Sequence, residues 1–173
     1  MHRACCFAVA ISLSLAAQDK SALTAQAQRG RELFLKSSKG TACATCHSMA
    51  GSGTAIGPDL TNMASYAPPR GFVSTMRMSM TEHVVEIKTA DGSFPGIQKQ
   101  KQGEDLEVWD LSQMPPVLHK LASKDVQSMN RDQKWKHPPA SVEYTSQELA
   151  DLVGFLKWAA TGSRKEIKAD EVE

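Results

Sequence analysis

Two cysteines separated by two residues and followed directly by a histidine, Cys43-Ala44-Thr45-Cys46-His47, constrain this chain more than any other feature. C-x-x-C-H is the pattern by which a c-type haem is attached covalently. Each part has a chemical task. Two thiols add across the haem vinyl groups as thioethers, and one helical turn presents both sulfurs to one porphyrin edge. His47 follows at once, so its imidazole comes up beneath the ring as proximal iron ligand. A lone C-x-x-C also serves thiol redox chemistry or half a zinc site. Zinc needs a second ligand pair at similar spacing, and the other two cysteines, Cys5 and Cys6, lie in a segment expected to be removed.

That segment, residues 1–17, has Arg3 ahead of an apolar run that ends in small residues. It reads as a secretory signal peptide, the alternative being an uncleaved anchor. The run is short for a bilayer span, and a lipoprotein cysteine at 5 or 6 would lack an apolar region before it. Export suits thioether chemistry and predicts a periplasmic or otherwise exported protein, with no stable membrane insertion once the segment is cleaved. Removing residues 1–17 takes away Arg3 and leaves nineteen Lys plus Arg against nineteen Asp plus Glu. A formally neutral chain without long basic runs gives no warrant for nucleic-acid or anionic-membrane binding. About 155 residues fit one domain, placed at 21–160, followed by a charged flexible tail at 163–173.

Within the domain, residues 21–36 carry Leu23, Ala27, Gly30, Leu33 and Phe34 largely on one helical face. A glycine-rich loop through Gly57-Pro58-Asp59-Leu60 follows the cysteine motif. Pro58 is either an ordinary turn proline or the residue whose carbonyl accepts from the second imidazole nitrogen of His47. From Pro68-Pro69 a short helix is expected to about Met80. The period then changes to two: Glu82–Thr89, Phe94–Gln100, Leu106–Leu111 and Val117–Leu121 read as strands of a small antiparallel meander, about 82–121. Ser123 is expected to cap a short helix through Val126 to Met129. Thr145 and Glu148 match a capping box, Tyr144 and Leu149 a hydrophobic staple, and Gly162 a helix stop. Gly30 lacks a side chain, so the last helix is expected to cross there beside Phe34 and Phe155.

In this order, Gly30-x-x-x-Phe34, Cys43-x-x-Cys46-His47, Gly57-Pro58-Asp59-Leu60 and Glu148-Leu149-Ala150-Asp151-Leu152 resemble a class I cytochrome c. More closely the chain resembles exported single-haem cytochromes and haem-binding domains of planctomycetes and acidobacteria that carry a β-insertion. The resemblance spans roughly residues 25–160. It implies a mainly α, three-helix haem fold with an inserted small β-meander, one covalent haem c with its iron, His47 as proximal ligand, Pro58 as its hydrogen-bond partner, and one-electron transfer.

The distal side departs from the pattern. Class I cytochromes usually carry Met-Pro before the last helix, whereas this chain has His137-Pro138-Pro139. His137 is the first candidate for distal iron ligand, with Met129 and Met114 as alternatives, then Met63, Met76, Met78, Met80 or an open position. His83 and His119 read as sheet residues. Trp135 is placed near the haem, and Arg70 or Lys136 near a propionate. Three functions follow. One is a carrier of single electrons between a dehydrogenase or membrane complex and an acceptor, with no catalytic residues of its own. The second is a peroxide- or gas-reactive haem protein with an open distal face. The third is a cytochrome subunit docked through its insertion to a quinoprotein dehydrogenase.

Overall fold

The computed structural model describes residues 22–37, 39–78, 81–102 and 105–173. The expected signal peptide and Met80 lie outside them. Helix α1 (Ala25–Leu35) begins where the Thr24 hydroxyl accepts from the Ala27 N–H, and it buries Ala27, Gly30 and Phe34. Helix α4 (Ser146–Thr161) opens with a complete Thr145/Glu148 capping box and closes at Gly162, whose φ of 70° is left-handed. The two helices cross at Gly30. A Cβ built there would stand 1.9 Å from the Asp151 carbonyl oxygen and 2.8 Å from Phe155 Cβ, so this contact requires glycine. Phe34 and Phe155 pack beside the crossing with ring centroids 5.5 Å apart. Two shorter helices, α2 (Thr61–Tyr66) and α3 (Pro69–Met76), complete this layer, and Phe72, Val73 and Met76 of α3 join the same core.

Beside the helices stands a five-stranded antiparallel sheet in the order β6-β5-β4-β3-β7. Its strands are β3 (Val85–Thr89), β4 (Gly92–Gln102), β5 (Asp105–Asp110), β6 (Val117–Ala122) and β7 (Ser128–Arg131). A small hairpin of β1 (Ser48–Met49) and β2 (Ser52–Gly53) precedes α2 and turns through Ala50 and Gly51, both at positive φ. In the large sheet Ile97 pairs with Trp109, and side chains alternate between faces. Ile97 and Trp109 pack with Ile56, Val84, Leu111, Trp135 and Cys46. On the opposite face Ile87, Leu106 and Val108 form a second cluster covered by Leu121, Val126 and Met129.

These observations correct the expected fold class. Of the described residues 37% are helical and 23% strand, a mixed α and β architecture and not a mainly α protein with a small insertion. The sheet is larger than the predicted meander because it recruits β7, where a helix from Ser123 to Met129 was expected. Only Ser123–Asp125 turns helically, as a 3-10 turn, after which Ile87 pairs with Met129 and Val85 with Arg131. With an apolar cluster on each face, the sheet is a structural layer in its own right.

The segment expected to be a flexible charged tail is packed. Gln26 donates to the Ile167 carbonyl at 2.7 Å and accepts from the Ile167 N–H at 2.9 Å, while Ile167 and Val172 are buried. No helix among the described residues is long and apolar enough to cross a membrane.

Candidate functional site

The cysteine motif forms a single tight turn over Cys43–Thr45, in which the His47 N–H donates to the Cys43 carbonyl at 2.8 Å. The following loop holds this turn in place. Thr54 donates to the Ala44 carbonyl, and Ile56 and Gly57 both donate to that of Cys46. Cys43, Cys46 and His47 thereby line one side of a cavity of about 450 Å³ between the helical layer and the sheet. The volume lies within the range of about 300–1,000 Å³ usual for cofactor sites. Its walls are mostly apolar, with Phe34, Leu152 and Leu156 among them. Burial pushes the Cys43 thiol up to about 11 and raises that of Cys46, so both are neutral thiols in this apolar setting.

His47 is oriented from two directions. Its Nδ1 lies 2.8 Å from the Pro58 carbonyl oxygen, which accepts from an Nδ1–H and leaves Nε2 as the lone-pair nitrogen. Gly57 lies against the ring face: a Cβ there would stand 2.7 Å from His47 Cε1. Across the cavity is His137, whose Nδ1 lies 3.1 Å from the Met76 carbonyl oxygen at the end of α3. The two imidazoles are nearly perpendicular, at 86°, with centroids 6.2 Å apart. Burial lowers the pKa of both, and the backbone carbonyls oppose this only in part. Both rings are therefore neutral near pH 7, the form that binds metals.

Trp135 also lines the cavity, with its ring centroid 6.2 Å from that of His137. Met63, Met76 and Met78 line it too. Met129 belongs to the far face of the sheet, and Met114 is exposed between β5 and β6, so neither reaches the cavity. Arg70 is likewise outside the lining and donates to the Asp170 carbonyl at 3.5 Å. Lys136 is absent from the lining, whereas Arg131 and His83 contribute to it. Sequence reasoning missed Thr81. Its hydroxyl is buried without a hydrogen-bond partner among the described residues, and the residue lines the cavity.

These residues fit an iron porphyrin. Taking a metal–imidazole bond as about 2 Å, a metal midway between two opposed imidazole nitrogens sets the ring centroids roughly 6.3 Å apart. The observed 6.2 Å meets that spacing. Two thiols lie beside one of the imidazoles, the walls are apolar, and the Thr81 hydroxyl would be satisfied by a polar substituent of an incoming group. The cytochrome c family profile matches residues 27–160, most of the chain. The chain belongs to the cytochrome c family. Its cofactor is covalently attached haem c with iron, and its role is haem-based electron transfer with redox partners. Comparison with curated proteins finds no match to this cytochrome.

Proposed function

We propose that this cytochrome is an exported single-haem electron carrier with two histidine ligands. Cys43 and Cys46 would hold the haem through thioethers, His47 and His137 would hold the iron from opposite sides, and the Pro58 carbonyl would orient His47. The observation that carries this reading is the pair of neutral, half-buried imidazoles 6.2 Å apart across one apolar cavity, each with Nδ1 against a backbone carbonyl. When bound, the haem supplies the one-electron couple of its iron. The chain's part is to fix both imidazoles, exclude water through Phe34, Leu152, Leu156 and Trp135, and keep the environment of low polarity.

The hydrogen bond to Pro58 makes His47 more basic, and a second nitrogen ligand in place of methionine lowers the potential, so the carrier is of low potential. With both imidazoles engaged, neither face is left for peroxide or a dissolved gas, which favours electron transfer over a haem enzyme. Residues 1–17 would direct the chain to the periplasm, and a quinoprotein dehydrogenase is one donor suited to that place. The test is carbon monoxide binding to the reduced protein. His137→Ala is expected to bind it far faster than the parent and to lose the six-coordinate spectrum. A parent that binds as fast as the variant would overturn the reading in favour of an open distal face.

A further inference from the structure

His137 stands at the end of a short strap that leaves the sheet at β7. Asp132 lies where the strap begins. Its backbone N–H donates to the Val84 carbonyl at 3.0 Å, continuing the pairing of β3 with β7 by one bond. Its carboxylate oxygen Oδ1 accepts from the N–H of Lys134 at 2.7 Å and of Trp135 at 2.9 Å. This single oxygen therefore closes the turn that delivers Trp135 to the cluster containing Cys46, Trp109 and Val84. Trp135 in turn packs its ring beside that of His137, and the Met76 carbonyl is the hydrogen-bond partner of the His137 ring among the described residues. Pro138 and Pro139 then stiffen the exit.

We propose that Asp132 is the positioning residue for the distal histidine: its carboxylate closes the turn of the 132–137 strap, which its backbone N–H ties to the sheet edge, and so keeps His137 facing His47. The proposal rests on the reading of His137 as an iron ligand. It also gives the sheet a task, since the strap is anchored through β3 and β7. Hydrogen bonds to a charged acceptor are stronger than neutral ones. Releasing two of them loosens the turn next to Trp135 while leaving the Met76 contact and both prolines in place.

The experiment compares carbon monoxide association with the reduced haem protein, and its midpoint potential, in the parent, Asp132→Ala, Asp132→Asn and His137→Ala. Asp132→Ala is expected to bind carbon monoxide at least about tenfold faster than the parent, because both hydrogen bonds to its charged oxygen are released. Asp132→Asn keeps an acceptor oxygen and is expected to restore the parental rate to within about threefold. If Asp132→Ala fails to accumulate, Asp132→Ser replaces it, and its shorter acceptor is expected to give a rate between those of Asp132→Asn and His137→Ala. An Asp132→Ala or Asp132→Ser protein that melts earlier but keeps the parental rate and potential would reduce Asp132 to an ordinary turn residue and overturn the proposal. A His137→Ala protein indistinguishable from the parent would instead overturn the ligand assignment on which it stands.

Discussion

Gly57→Ala perturbs the proximal imidazole through space alone, without touching a ligand. The added Cβ would stand 2.7 Å from Cε1, 3.0 Å from Nδ1 and 3.2 Å from Nε2 of His47, against the whole ring face. Carbon atoms settle at about 3.5–4.0 Å, so the ring must retreat by roughly 0.8 Å. A retreat of that size along the ring normal carries Nδ1 out of line with the Pro58 carbonyl, now at 2.8 Å, and so bends and weakens that hydrogen bond. Overpacking of this kind costs about 1–3 kcal/mol and the bent hydrogen bond up to about 1 kcal/mol, together about 2–4 kcal/mol. For a domain of this size that corresponds to a melting point lower by roughly 5–15 °C. The assay is thermal unfolding of the haem-loaded protein beside its midpoint potential. The potential is expected to rise, because an imidazole with a weakened bond to its carbonyl partner is a weaker donor to iron. A melting point within about 2 °C of the parent and an unchanged potential would refute the reasoning.

Gly30→Ala should destabilise by about 3 kcal/mol or more, read from the denaturation midpoint, because its Cβ meets the Asp151 carbonyl at 1.9 Å and backbone cannot yield as a side chain does. Asp151 supplies a pH dependence. Its desolvation, which raises the pKa, is outweighed by the hydrogen bonds from Arg29 and Gln147, and the folded value lies below the ordinary carboxylate range. Its contribution is therefore complete above about pH 4, the unfolded value, and is lost as pH falls towards the folded one. Asp151→Asn should melt earlier than the parent at neutral pH and show a flatter acid limb in melting point against pH.

Local chemistry explains what sequence could and could not reveal. The Thr145/Glu148 box and Gly162 specify their helix boundaries through side-chain and backbone groups adjacent in the chain, and both are legible. The crossing at Gly30 is legible because a helical glycine opposite an apolar helix leaves few other uses. Cys43, Cys46, His47, Pro58 and His137 all came from short motifs, and the fold brings all five to one cavity. The strand Ser128–Arg131 was not legible. Four residues with little apolar alternation become a strand only because β3, far away in sequence, offers them a free edge. Helix α2 is six residues long, and its start depends on Asp59 Oδ1 accepting from the Thr61 N–H at 2.6 Å, too little periodicity to detect. Arg70 was placed by its charge, yet the direction in which α3 presents it sends it to Asp170. Ile167 and Val172 lie among charged residues, so composition suggested a free tail where two buried side chains anchor a docked one.

The most direct test of the two-histidine iron is the electron paramagnetic resonance spectrum of the oxidised protein. Imidazole planes at 86° predict a low-spin signal of strong anisotropy, the pattern of nearly perpendicular axial rings, and its loss in His137→Ala. A high-spin signal in the parent, or a low-spin signal that His137→Ala leaves unchanged, would contradict the account.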